Sequence, residues 1–160
     1  NYPFAFDFLK SINANYELDI YGSGTEYSNL KTLSFEQTLN INFLGNITHQ
    51  NLIREFSNYN FFLTTSTYEG NPKSVLEALS SQCIVFASNI PSHQELIKDG
   101  VNGFLFSDIK ELVKKFEFIK NNLSEQSKIK KNCLSSLSEN HISTVSKLMY
   151  EDYVFLTSLR

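Results

Sequence analysis

Short apolar runs alternate with amphipathic stretches along the chain, which predicts parallel strands joined by crossover helices. Phe4, Phe8 and Ile12 fall four residues apart and predict a helix from Phe4 to Ile12. Residues 17–21 alternate as a strand ending at Gly22, and a helix from about Glu26 to Phe35 leads to a strand, Ile41–Leu44, closed by Gly45. Thr48 is placed to cap a helix carrying Leu52, Ile53 and Phe56. A strand over 60–65 runs through a polar loop into Pro72 and a helix to about Ser81, and a strand over 84–87 follows. A helix from Gln94 to Lys98, a turn at Asp99-Gly100 and a short strand over 103–106 continue the alternation. From Asp108 onward the pattern is helical, with one stripe at Ile109, Leu112, Val113 and Phe116 and another at Val145, Leu148, Met149 and Leu156. No repeat or linker divides the chain, so residues 1–160 are expected to form one α/β domain with a Rossmann-like parallel sheet and helices on both faces. The chain opens on a helix pattern, without the strand that normally precedes it in a doubly wound sheet.

At 160 residues the chain can bury roughly two-thirds of its unfolded surface, so neither metal nor disulfide is needed to hold it together. With 41% hydrophobic and 19% charged residues, it falls outside the disordered, fibrous and membrane classes. The net charge of -3 supplies no field for a phosphate polymer, and nucleic acid is not an expected partner. Cys83 and Cys133 show no metal or redox spacing and read as reduced, buried residues, while His49, His93 and His141 lack paired ligand spacing. No apolar run spans a bilayer; the expectation is a cytoplasmic protein, peripheral at most to the inner membrane face in its full-length form.

The chemistry concentrates in residues 66–79, where a loop carboxylate, a glycine turn and a helix start follow one another. Asn71 is suited to cap the helix and Pro72 to begin it, which would leave the backbone N–H groups of Lys73, Ser74 and Val75 free to meet an anion such as a diphosphate. Ser74, Glu77 and Ser81 share one helix face, so Glu77 is presented about one turn away, where a carboxylate can accept both hydroxyls of a ribose. Gly70 lets backbone pass close to a ligand, and Glu69 belongs to the loop.

The order of strand, polar loop, Glu69-Gly70, Pro72 and Glu77 resembles the E-x7-E signature of family-four retaining glycosyltransferases, in the nucleotide-binding C-terminal domain of the GT-B fold. Residues 18–24 resemble that family's strand ending in Gly-x-Gly, residues 41–45 its strand ending in Phe-x-Gly, and residues 95–105 its E-x3-D-G-x-N-G-x-L run. The resemblance implies a donor site for a UDP- or GDP-sugar. In it Glu77 holds the ribose and Pro72, Lys73, Ser74 and Val75 face the diphosphate. Glu69, with a catalytic role, and Gly70 and Asn71 meet the donor sugar. Backbone at Gly45, Asn46 and Ile47 would face the base, and Gly22 and Gly24 line the site. The implied activity is retaining hexosyl transfer to a glycan or lipid acceptor in surface polysaccharide or glycolipid synthesis. No D-x-D motif occurs, so no metal cofactor is expected.

Three departures from the family pattern stand out. Gly70-Asn-Pro72 replaces Gly-Phe-Gly, and Gln82-Cys83-Ile84 replaces Gly-x-Pro. The domain's first strand, the Arg and Lys that follow it and the N-terminal acceptor domain have no counterpart before Asn1. Competing readings are a related GT-B epimerase or phosphorylase, a non-catalytic nucleotide-sugar sensing module, and a receiver-like signalling domain, which the missing acidic cluster disfavours.

Overall fold

The computed structural model describes residues 1–12 and 16–140. Among the described residues seven helices and five strands follow in order: α1 Tyr2–Ser11, β1 Leu18–Tyr21, α2 Tyr27–Glu36, β2 Ile41–Gly45, α3 His49–Phe56, β3 Phe61–Thr64, α4 Lys73–Ser80, β4 Ile84–Ser88, α5 Pro91–Gln94, β5 Phe104–Phe106, α6 Ile109–Ile119 and α7 Leu123–Asn140. All strand pairing is parallel, as the alternation predicts, but the ladder is broken into two pieces: β1 pairs with β2, and β3, β4 and β5 pair in that order. The parallel α/β arrangement expected from sequence is observed, and among the described residues no ladder joins β1 to β3.

The core sits around β4. Ile84, Val85, Phe86 and Ala87 are all buried, which requires cover on both faces of the strand, because successive side chains point to opposite sides. On one side Phe86 packs near Phe61, Phe104 and the Phe116 ring of α6, which also meets Phe8 of α1 edge-on at 5.3 Å. Val75, Ala78 and Leu79 of α4 and Ile129, Cys133 and Leu137 of α7 join the same buried cluster. Cys83 and Cys133 are free thiols, both buried, as expected.

One helix is shifted from its expected position. Between β4 and β5 the helical turn is Pro91–Gln94 instead of Gln94–Lys98, because Pro91, with φ already helical, begins it directly after the extended Ile90. The segment after it forms a buried pin instead. Asn102 Oδ1 accepts from the Lys98 N–H at 2.7 Å, and its Nδ2 donates to the Leu96 carbonyl at 3.0 Å and to Ser136 Oγ at 2.9 Å. Gly103 packs so tightly that an added Cβ would lie 3.0 Å from the Val85 carbonyl oxygen. The Asp-Gly-x-Asn-Gly run therefore secures β5 and α7 to the core. The helical stripe expected at Val145, Leu148, Met149 and Leu156, and His141, lie outside the described residues.

Candidate functional site

Because the strands are parallel, their carboxyl ends lie together, and the loops that leave them are the Gly22 turn, the Gly45–Thr48 turn and residues 65–72. Gly22 and Gly45 both take positive φ, 117° and 70°, and the Gly22 N–H donates to the Gly45 carbonyl at 2.7 Å, which fastens the first two turns to each other. Thr48 caps α3 as expected, its Oγ1 accepting from the Asn51 N–H at 3.4 Å, and so sets the position of His49.

The loop after β3 is held from both ends. Ser88, at the end of β4, donates its hydroxyl to the Ser66 carbonyl, and the buried His93 donates from Nδ1 to the Ser88 carbonyl at 2.8 Å. Ser66 Oγ donates in turn to Glu69 Oε1 at 3.2 Å, leaving Glu69 half-buried with its other oxygen outside that bond. Tyr68 projects from the same loop and is 86% exposed.

At the start of α4 the donor geometry differs from expectation. Pro72 sits at φ −79° and ψ 70°, the central position of an inverse γ-turn, and the Lys73 N–H closes that turn on the Asn71 carbonyl at 2.9 Å. Val75 donates to the Pro72 carbonyl at 3.0 Å. Of the three amides expected to be free, Lys73 and Val75 are therefore corrected to self-capped, and the cap is Pro72 and not Asn71, whose side chain makes no cap bond. The Ser74 N–H makes no hydrogen bond among the described residues and lies at the positive end of the helix dipole. Val75 and Pro72 are buried, so neither offers a side chain to a ligand, whereas Lys73 is exposed.

Glu69 and Ser74 line a cavity of about 500 Å³ between β1 and β3. Its walls include Leu18–Tyr21 on one side and Phe61–Thr65 on the other, with Asn1, Tyr2 and Ala5 of the α1 region. Four carboxylates, Glu17, Asp19, Glu55 and Glu69, face it, and no Lys, Arg or His is among its lining residues. A hydrogen-bonded network that sequence reasoning missed fixes this acidic wall. Tyr59 donates to Asp19 Oδ2 at 2.5 Å and Asn42 Nδ2 donates to Asp19 at 2.8 Å, while the Tyr21 hydroxyl lies 2.9 Å from that of Tyr59. Burial first, and then the Asp19 carboxylate, push the Tyr59 phenol well above the ordinary tyrosine range, so it remains a donor.

Glu77 does not line that cavity. It lies against α3, where its Oε1 is 2.7 Å from His49 Nε2. Gly22, Gly24, Gly45, Asn46 and Ile47 also lie outside the cavity lining, as do Gly70, Asn71, Pro72, Lys73 and Val75. The structure thus brings Glu69 and Ser74 together in one concavity, and joins Glu77 to the Gly45–Thr48 turn through His49. His49 and Glu77 lie 28 positions apart, and no local pattern in the sequence signals the pair. Among the described residues no group of three His, Cys, Asp or Glu is arranged to hold a metal ion, and no helix is long and apolar enough to cross a membrane.

The sequence profile of the family described as Glycosyl transferases group 1 matches residues 4–134. A UDP-N-acetylglucosamine–peptide N-acetylglucosaminyltransferase GtfA subunit of Streptococcus agalactiae is 31% identical over 88 residues, covering 54% of this chain and 17% of that protein. Among solved structures, HepE of Anabaena in complex with UDP and glucose superposes with a TM-score of 0.82 at 19% identity, covering 95% of this chain and 44% of its own. The C-terminal domain of the group 1 family protein LpcC from Francisella tularensis gives 0.69 at 21% identity, covering 86% of this chain and 75% of that domain. The chain thus spans about a sixth of the length of the streptococcal relative and less than half of the Anabaena protein.

Proposed function

Since the chain belongs to the Glycosyl transferases group 1 family, we propose that it is the donor-binding C-terminal domain of a retaining, family-four GT-B enzyme. That enzyme moves a hexosyl group from a UDP- or GDP-sugar to a glycan or lipid acceptor in surface polysaccharide or glycolipid synthesis. The observation that carries the reading is the junction of β3 and α4, where Glu69 and the Ser74 N–H, unbonded among the described residues, stand together at the carboxyl edge of a parallel strand. The streptococcal relative is named for UDP-N-acetylglucosamine transfer and the Anabaena structure contains UDP, which favours a uridine donor.

In this reading Ser74 N–H and the α4 dipole meet the departing diphosphate, Glu77 accepts from the ribose, and Glu69 positions the donor sugar as oxocarbenium character develops. Gly70 and Asn71 flank Glu69 at the sugar, backbone at Gly45, Asn46 and Ile47 faces the base, and Gly22 and Gly24 line the edge. Helix dipole and basic side chains take the place of a metal ion.

The gap between β1 and β3 supports the second half of the proposal, a further parallel strand contributed by sequence before Asn1 in the full-length enzyme. Each of those strands has a ladder on one side only, and the cavity lies between the two unpaired edges. Thr65 Oγ1 donates to the Asn1 carbonyl at 2.9 Å, which ties the start of α1 to the carboxyl edge of β3. The four carboxylates there match a segment bearing Arg and Lys. The acceptor then falls to an N-terminal domain.

Calorimetry with UDP, GDP and their sugars tests the donor reading. Diphosphonucleotide binding that is lost in Glu77→Ala is expected, with negligible transfer by this chain alone. Absence of binding to every nucleotide sinks the donor reading, and measurable turnover by this chain sinks the division of labour between domains.

A further inference from the structure

Glu77 has the place of a ribose-binding carboxylate, yet a glutamate on a helix surface has three side-chain torsions and, left alone, samples many rotamers. In this structure it does not stand alone. His49 Nε2 lies 2.7 Å from Glu77 Oε1, within charge-assisted hydrogen-bond range, and the Glu77 side chain is only 18% exposed while His49 is 68% exposed. A carboxylate oxygen only accepts, so His49 donates from Nε2 and Glu77 Oε2 stays outside the bond.

The partner is as well anchored as the carboxylate. His49 is the first residue of α3, fixed by the Thr48 cap, and it follows Ile47 by two residues in a turn whose Gly45 carbonyl is bonded to the Gly22 N–H. The hydrogen bond therefore spans from the turn after β2 to the middle of α4. An ordinary surface ion pair contributes little because both ends are wet and mobile. Here one end is mostly buried and the other is set by a helix cap.

We propose that His49 is a positioning residue for the nucleoside. By holding Oε1 it selects the Glu77 rotamer that leaves Oε2 to accept from the ribose, and it couples that carboxylate to the turn that faces the base. The inference rests on Glu77 meeting the ribose, and the experiment separates the two. UDP and 2′-deoxy-UDP are titrated calorimetrically into the protein and into Glu77→Ala, His49→Ala and His49→Gln.

The expected result is that E77A and H49A both weaken UDP binding, H49A by roughly three- to tenfold, as for the loss of one hydrogen bond. H49A also narrows the preference for UDP over the deoxy analogue, and H49Q, which keeps a donor, restores most of it. A purely structural role for His49 would lower both affinities together and leave their ratio unchanged, and that outcome overturns the inference. So does an unaltered H49A. If E77A itself leaves UDP binding untouched, the ribose reading fails and this inference with it.

Discussion

The two halves of the molecule are each built on strands with apolar runs and end up differently buried. In β4 the four residues Ile84, Val85, Phe86 and Ala87 are 0%, 0%, 2% and 0% exposed, whereas no residue of β2 or β3 is fully buried, and Leu44 is 46% exposed. Helix α2 repeats the contrast, since Ser34 is its one buried residue and Phe35 points to solvent. What separates the halves is neighbours. β4 has a strand on each side and helices against it, while β1 and β3 each face the cavity with an unpaired edge. Burial in a parallel sheet thus depends on the assembly around a strand as well as on its own residues.

The comparison predicts unequal mutational costs. Phe116→Ala, which removes a ring packed at 5.3, 5.0, 5.3 and 5.8 Å from Phe8, Tyr16, Phe61 and Phe86, is expected to cost about 3–5 kcal/mol in urea unfolding. Phe43→Ala, on half-buried β2, is expected to cost about 1 kcal/mol. Equal losses would erase the distinction between the halves. Asn102→Ala leaves the Lys98 amide and Leu96 carbonyl without their buried partner, and a loss of about 2 kcal/mol is expected from the same measurement. Tyr59→Phe, at the acidic wall of the cavity, removes the donor to Asp19 and should cost about 1 kcal/mol, with a larger cost marking that wall as part of the core.

The smallest effect is a pH dependence that begins with the buried thiols of the complete half. Burial pushes the Cys83 thiol up to about 11 and the Cys133 thiol up to about 12, whereas an unfolded thiol ionises near pH ~8.5. Below that value both states are protonated and the thiols add no slope. Above it the unfolded chain releases protons that the folded chain keeps, so stability falls as pH rises from about 9 toward 11 and 12. Replacing both cysteines by alanine should flatten that decline, and labelling with a thiol reagent at pH 8 should be slow until the chain unfolds; rapid native labelling would contradict the burial of these groups.

Much of this was legible in the residues. Glycines at 22 and 45 correctly marked the ends of two strands, and the apolar runs located every strand found among the described residues. Local rules failed where two local preferences competed. Asn71 is a good cap by type, but it precedes a proline, which disfavours helical backbone before it; Pro72 settles into a γ-turn that engages the Lys73 amide, and its own carbonyl takes the Val75 amide. The short helix slipped because Pro91 starts one where periodicity pointed to Gln94. The break between β1 and β3 and the His49–Glu77 bond are long-range facts, set by which elements meet across the sheet, and no spacing along the chain encodes them.

The bond from Ser88 to the Ser66 carbonyl has a thermodynamic consequence. It fastens the loop bearing Glu69 to the end of the most deeply buried strand, so the conformational freedom of that loop is already surrendered when the chain folds. A ligand arriving at Glu69 meets a preorganised surface and forfeits little entropy in shaping it. Severing the tie with Ser88→Ala should therefore appear as a more unfavourable binding entropy while the contacts themselves, and with them most of the binding enthalpy, persist.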